Sequence, residues 1–369
     1  MRSIVIVNAS SFIYGAERGL INLIRALRGE FRITVILPKS GPLTSRLKND
    51  FPDLKIKAFP LPVIMLSYSP FYYLGFFLRT ILSISYLAFY VIREDIDIIC
   101  TNSILLVFSS LVAKITKRRH IWHVREFFSS KRINKCLGFF VNNFSDLVIC
   151  QSKTIREKLA IKIKSEVVYE PLAEQDYKIY DADIVKKELN LPLDSTVISI
   201  ISRIHPSKGQ YEFLQNIKSV LQDVDNLYLL IAGDITPFTL KNRSYLKAIH
   251  DFIDENKLDN VILLGFSQDI DKIFSVSDIC VFPFLREEPF GIAVAESLAF
   301  GNITFFPKKG GLKEVYDIFK QGYDFDFKSI KEKLPRIINL QIRHKKQLVI
   351  PEALSFQKYK SNISNFYRQ

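Results

Sequence analysis

Short runs of β-branched and aliphatic residues alternate with longer amphipathic stretches along almost the whole chain. That alternation predicts parallel sheets built from strand-helix-strand units. In the first half the strands are predicted at 3–8, 32–37, 97–101, 121–124 and 146–151. After a mixed, charged stretch over 170–183 a second series follows at 196–202, 227–232, 260–264, 278–283 and 303–306. The expected fold is α/β, two doubly wound Rossmann-like domains over 1–175 and 176–350. Leu354, Phe356, Tyr359, Ile363 and Tyr367 recur at helical spacing and predict an amphipathic helix over 351–369. In open α/β sheets ligands bind beyond the carboxyl ends of the strands, so the expected site is the cleft between the halves.

Residues 58–92 break this rhythm. Between Lys57 and Arg93 the only charge is Arg79, and Phe71, Tyr72, Tyr73, Phe76, Phe77, Tyr86, Phe89 and Tyr90 crowd the segment. A bilayer-spanning helix needs about 20 uninterrupted apolar residues. Pro60, Pro62, Pro70 and Arg79 interrupt this one, which leaves a buried helix and an interfacial, membrane-contacting helix as the better readings.

Composition narrows the class. Of 369 residues 48% are hydrophobic and 24% charged, the balance of a folded soluble domain pair, which excludes extended disorder. Cys100, Cys136, Cys150 and Cys280 are scattered without a CxxC or a Cys/His cluster, so no zinc site and no disulfide framework is expected. The opening MRSIVIVNAS reads as a buried strand rather than a leader peptide, and the cytoplasm is the expected compartment.

Charge is lopsided. Residues 1–180 carry 26 Lys and Arg against 14 Asp and Glu, whereas 181–369 carry 25 against 24. A polyanionic surface facing the first domain would explain this, either an acidic membrane or nucleic acid. Lys114, Lys117, Arg118 and Arg119 form one basic cluster, and Lys131, Arg132 and Lys135 a second.

Three strand-end motifs carry the candidate chemistry. The first, Glu-Pro-Phe-Gly-Ile-Ala-Val-Ala-Glu over 288–296, follows a predicted strand and opens a helix. Pro289 suits the helix entry, and Gly291 lets a ligand approach the first-turn amides, which favour phosphate or hydroxyl oxygens. Glu288 and Glu296 place carboxylates before and inside that helix, where they can clamp sugar hydroxyls. The second motif, Ile-Ser-Arg-Ile-His-Pro-Ser-Lys-Gly over 201–209, offers the planar fork of Arg203 and the point charge of Lys208 to a diphosphate. The third, Tyr14-Gly15-Ala16-Glu17, sets a turn and a helix N-terminus after the first strand, but it is not the GxGxxG dinucleotide fingerprint.

Together these motifs resemble the retaining family 4 (group 1) glycosyltransferases of the GT-B fold, which move a sugar from a nucleotide diphosphate donor. The resemblance covers nearly the whole chain and is strongest over 201–209 and 261–314. The 288–296 segment matches the family's E-x7-E element, and Gly310-Gly311-Leu312-Lys313-Glu314 its following GG-x-x-E turn. By that resemblance Glu296 binds the ribose hydroxyls, Glu288 holds the donor sugar, and the amides of Phe290, Gly291 and Ile292 line the sugar pocket. Arg203 and Lys208 become the diphosphate grips, Gly265 and Phe266 border the base, and the Gly15-Ala16 turn closes over the diphosphate. His123, at the end of a first-domain strand beside Arg125 and Glu126, matches a histidine that faces the donor sugar. Ser152 matches a further recurring position and reads equally as a helix N-cap. The tail helix is similar to the one that crosses back onto the first domain.

Two positions depart from the family pattern: Tyr14 stands where a second glycine is usual, and Glu170-Pro171 where an Asn-Gly turn is common. The expected activity is hexosyl transfer, retaining and metal-independent, with no cofactor beyond the nucleotide-sugar substrate. The expected acceptor is a lipid-linked saccharide, reached by peripheral contact with anionic membrane on the cytoplasmic side. An oxidoreductase lacks its fingerprint here, and a nucleic-acid binder is disfavoured because the paired glutamates would repel a phosphate backbone. A catalytically silent nucleotide-sugar binder and a transferase acting on a soluble acceptor remain as alternatives.

Overall fold

The computed structural model describes residues 1–12, 15–63, 70–235, 240–267, 269–339 and 347–369. Tyr14 and part of the 58–92 segment lie outside them. The chain divides into two compact units, Met1–Pro171 with Ala353–Gln369, and Leu172–Glu352.

In the first unit β1 (Ser3–Val7), α1 (Gly15–Leu27), β2 (Arg32–Leu37), α2 (Pro42–Asp50) and β3 (Lys55–Ala58) come first. Then follow α3 (Pro70–Arg93), β4 (Ile98–Thr101), α4 (Val107–Thr116), β5 (Arg119–Val124) and α5 (Lys131–Phe144). The series ends with β6 (Leu147–Cys150), α6 (Lys153–Lys158) and β7 (Ser165–Val167). The strands pair in parallel in the order β3-β2-β1-β4-β5-β6-β7.

Both faces of this sheet are covered, as parallel sheets require. On one face Ile4, Ile6, Val35 and Ile121 pack with Leu20, Leu23 and Leu27 of α1. On the other, Val5, Val7 and Ile99 meet Leu87 and Val91 of α3 and Phe108 and Val112 of α4, while Trp122 and Val148 meet Leu137 and Val141 of α5. So α3, α4 and α5 form one layer, with α4 packed against both of its neighbours.

The second unit contains α7 (Ala182–Glu188), β8 (Thr196–Ile201), α8 (Gln210–Asp223), β9 (Leu227–Ala232), α9 (Leu240–Glu255) and β10 (Val261–Gly265). It continues through α10 (Ile270–Val276), β11 (Ile279–Val281), α11 (Ile292–Ala299), β12 (Ile303–Phe306), α12 (Gly311–Phe319), β13 (Tyr323–Asp324) and α13 (Phe327–Asn339). Its parallel sheet runs β10-β9-β8-β11-β12-β13, so the order reverses between β8 and β11. That reversal is a topological switch point, where doubly wound sheets open a crevice for ligands.

The final helix, α14 (Phe356–Arg368), belongs to the first unit. Tyr359, Ile363 and Tyr367 are in its core, and Arg119 donates to the carbonyls of Phe366 and Tyr367 at 2.8 and 3.1 Å. The unit boundary falls at Pro171, where the sequence reading put it at 175. Hydrogen bonds bracket the boundary. Glu170 is held by Arg125 of the first unit, whereas Tyr177 donates to Glu296 and the Tyr180 amide to Ser275 Oγ, both in the second.

Candidate active site

Each unit gathers polar groups at the carboxyl ends of its own strands. In the second unit, β8 leads into a short 3-10 turn over Pro206–Lys208, capped by His205, whose Nδ1 accepts from the Ser207 amide at 3.0 Å. Gly209 follows at φ +74°, and a Cβ there would sit 2.1 Å from the Pro283 carbonyl oxygen. Only glycine lets this turn lie against the end of β11. Buried Gln210 then donates to Ser202 Oγ at 2.9 Å and to the Arg203 carbonyl at 2.8 Å, fixing the loop that presents Arg203.

Lys208 and Glu288 meet directly, Nζ to Oε1 at 2.9 Å, with the ammonium 4.2 Å from the centre of the Phe284 ring. Burial lowers the Lys208 pKa below the ordinary lysine value, nearby Arg203 adds to this, and Glu288 opposes it. The two groups that the sequence assigned to diphosphate and sugar are thus neighbours on one surface of the unit.

Glu288 owes its place to the two glycines of the next motif. The Gly311 amide donates to the Glu288 carbonyl at 3.0 Å, and a Cβ on Gly311 would lie 2.1 Å from the Pro289 carbonyl oxygen. The GG turn therefore packs on the backbone of 288–290, and Gly291 at φ +96° caps α11 beside it. Ile292 opens α11, while the Phe290 side chain is part of the core, leaving backbone as the part of this residue suited to a ligand. One further turn along, Glu296 is 2% exposed and accepts a hydrogen bond from the Tyr177 hydroxyl at 2.9 Å.

Gly265, at φ +65°, ends β10, and Phe266 after it is exposed. The Gly265 carbonyl accepts from the Gly233 amide at 2.8 Å, and a Cβ on Gly233 would come within 1.9 Å of the Ser202 carbonyl oxygen. Gly233 thus lets the β9 end cross close over the Arg203 loop. Sequence reasoning missed Tyr177, Gln210 and Gly233; of these, only Gly233, a glycine straight after a strand, carried a local signal.

In the first unit Gly15 and Ala16 open α1 beyond β1. The same unit holds a buried polar chain. Asn102 Nδ2 donates to Asn8 Oδ1 at 2.7 Å, Arg125 Nε to Asn102 Oδ1 at 3.1 Å, and Asn22 Nδ2 to Glu170 Oε1 at 3.1 Å. Arg125 and Glu170 form the ion pair at its centre, and a Cβ on Gly19 would stand 2.2 Å from the guanidinium. The spacing of Gly15 and Gly19 therefore has a packing cause at its second member.

His123 does not meet the expectation of an open, ligand-facing imidazole. It is 2% exposed, shares a 2.9 Å hydrogen bond with the Tyr367 hydroxyl of α14, and is pushed well below the ordinary histidine range by burial, with Arg125 adding to this. Its neighbours are engaged elsewhere, Arg125 with Glu170 and Glu126 with Ser103 and the Ile104 amide. Ser152 caps α6, accepting from the Ile155 amide at 3.1 Å. Among the described residues no group of three or more His, Cys, Asp or Glu is arranged to hold a metal ion.

Comparison with known proteins fits this division. Residues 13–169 match the model of Glycosyltransferase Family 4, and 181–352 that of Glycosyl transferases group 1. The chain is 28% identical to the lipopolysaccharide 1,2-N-acetylglucosaminetransferase of Salmonella typhimurium over half of each chain, so the match spans only half the length of that relative. It is 25% identical to the Escherichia coli UDP-Gal:alpha-D-GlcNAc-diphosphoundecaprenol alpha-1,3-galactosyltransferase over 73% of this chain and 70% of that one. Among solved structures, Anabaena HepE in complex with UDP and glucose matches over all of both chains with a TM-score of 0.79 at 20% identity. The two family matches, Glycosyltransferase Family 4 ahead of Glycosyl transferases group 1, account between them for most of the chain, and its two Rossmann-like units have the GT-B fold of this solved neighbour.

Proposed function

We propose that this protein transfers a hexose-type sugar from a nucleotide diphosphate donor to a hydroxyl of a lipid-linked saccharide, with retention of anomeric configuration and without a metal ion. The observation that carries the reading is the meeting of Lys208 with Glu288 at 2.9 Å, above an α11 whose Glu296 is already oriented by Tyr177. A cation for the leaving diphosphate, a carboxylate for the sugar and a second carboxylate for the ribose follow one another along two strand ends. The acceptor class draws on the names of the two relatives, one a lipopolysaccharide enzyme and the other acting on a diphosphoundecaprenol-linked sugar.

In the proposed reaction the acceptor oxygen bonds to the anomeric carbon while the bond from that carbon to the diphosphate oxygen breaks. The acceptor proton ends on the leaving diphosphate. Arg203, Lys208 and the first-turn amides of α11 stabilise the charge that develops there, the largest catalytic contribution open to this set of groups. Glu288 exchanges its Lys208 contact for the donor sugar. His123, neutral and tied to Tyr367, serves to hold α14 on the sheet rather than to move protons.

The test is transfer of labelled sugar from UDP-, GDP- and ADP-sugars into polyprenyl-diphosphate-linked saccharides, followed by assignment of the product anomer. Label in the lipid fraction with the donor's anomeric configuration is the expected result. Inverted product overturns the retaining assignment, and absence of transfer from every donor overturns the function.

A further inference from the structure

Helix α3 shows two faces. Ser83, Leu87, Tyr90 and Val91 face the sheet and are buried, with the Tyr90 hydroxyl 3.1 Å from Thr34 Oγ1 and the Tyr86 ring stacked on Phe59 at 4.1 Å. The opposite stripe is apolar and open to solvent: Leu74, Phe77, Leu78, Leu82, Phe89 and Ile92 are each more than half exposed, from 52% to 64%. Leu74 to Ile92 covers about 27 Å of helix at the usual rise. Exposed apolar surface on this scale marks an interaction site.

The surroundings of the stripe choose its partner. Helices α3, α4 and α5, the three that share this layer, contain no Asp or Glu at all. Exposed Lys114 on α4 and Lys117 at its end belong to the helix packed next to α3, and exposed Lys131, Arg132 and Lys135 to α5, one helix further along the same layer, where Phe139 adds a further exposed ring. The other members of the first basic cluster already have partners in the chain, Arg118 in a surface pair with Asp95 at 2.8 Å and Arg119 on the α14 carbonyls. An apolar ridge in a layer whose helices carry cations and no carboxylate, the nearest ones, Glu94 and Asp95, being paired with Lys55 and Arg118, matches acyl chains below negative headgroups.

From this geometry we infer that the α3–α5 layer is a docking surface for an anionic lipid bilayer, with α3 lying in the plane of the interface. A span is disfavoured because the inner stripe of α3 closes one face of the β2-β1-β4 sheet, and withdrawing it would bare Val5, Val7 and Ile99. The inference stands apart from the proposed transfer reaction, since no residue of the second unit enters it.

The experiment is co-sedimentation of the full chain with vesicles of phosphatidylcholine alone or with about one third phosphatidylglycerol. Two variants accompany it, Phe77→Ser with Leu82→Ser, and Lys131→Glu with Arg132→Glu and Lys135→Glu. All five positions are exposed, so unchanged melting curves are expected and are measured alongside. The wild type should bind the anionic vesicles at least about tenfold more tightly than the neutral ones, with affinity falling as salt rises. The charge-reversed variant should lose about a hundredfold on anionic vesicles, and the serine variant should lose binding to both. Equal affinity for the two vesicle types, or unchanged binding by the serine variant, overturns the proposal. So does release only by detergent, which indicates a span, or a vesicle-free dimer that the serine variant dissolves, which assigns the stripe to a second copy of the chain.

Discussion

The hydroxyl of Tyr177 donates to Oε1 of Glu296 at 2.9 Å, and its ring meets Phe300 edge-on at 5.9 Å. The segment that enters the second unit thus fixes the carboxylate assigned to the ribose. A hydrogen bond to a charged group contributes about 1.5–3 kcal/mol, so Tyr177→Phe is expected to weaken nucleoside diphosphate binding about tenfold. Calorimetry with the diphosphate and its 2′,3′-dideoxy counterpart checks the route. If Tyr177 acts through Glu296, the loss shrinks on the dideoxy ligand; an equal loss on both assigns Tyr177 some other role.

Lys208 gives a pH signature. Its pKa is lowered by burial, so the charged form that grips a diphosphate is lost as pH rises through a value below the ordinary lysine range. The alkaline limb of kcat/KM, which reports the free enzyme, should therefore fall below that range and move up in Lys208→Arg. A limb that stays put in Lys208→Arg belongs to another group. The sign for stability is opposite. A depressed lysine binds fewer protons folded than unfolded, so its contribution to stability rises with pH between the two values.

The Arg125 and Glu170 side chains are 6% and 3% exposed, so neither charge has water to fall back on. Arg125→Met is expected to cost about 3–5 kcal/mol by leaving the carboxylate unpaired, and adding Glu170→Leu should recover most of it. Gly19→Ala should cost about 1–3 kcal/mol by crowding the guanidinium. Urea unfolding measures all three. A double variant no more stable than Arg125→Met would show that the pair is not an independent unit.

Activity is expected to survive excess EDTA, because Arg203 and Lys208 supply the positive charge at the leaving group. Complete loss restored by Mg²⁺ or Mn²⁺ would contradict that assignment.

The two-sheet α/β fold was legible because central parallel strands are continuous apolar runs, and β1, β2, β8 and β9 lie where those runs are. Three edge strands were not: β3 reads Lys-Ile-Lys-Ala, β7 Ser-Glu-Val and β13 Tyr-Asp, short, partly exposed pieces with the charge that edges carry. In the second unit the motifs at 201–209, 288–296 and 310–314 were legible as patterns, and their glycines have local steric causes that a motif alone does not reveal. Tyr177 and Gln210 were invisible, since each matters through a contact that follows only from the fold. The exposure of one α3 face could not be read either, because that helix is apolar all round and only packing distinguishes its sides.

The most direct test of the central claim is release of nucleoside diphosphate from UDP-, GDP- and ADP-sugars in the presence of a polyprenyl-diphosphate-linked saccharide. It is measured for the wild type, Arg203→Ala and Lys208→Ala. Turnover confined to donors of one base, falling about a hundredfold or more in each variant while the melting curves hold, is the predicted result. Wild-type rates in both variants, or no release from any donor, would contradict the account.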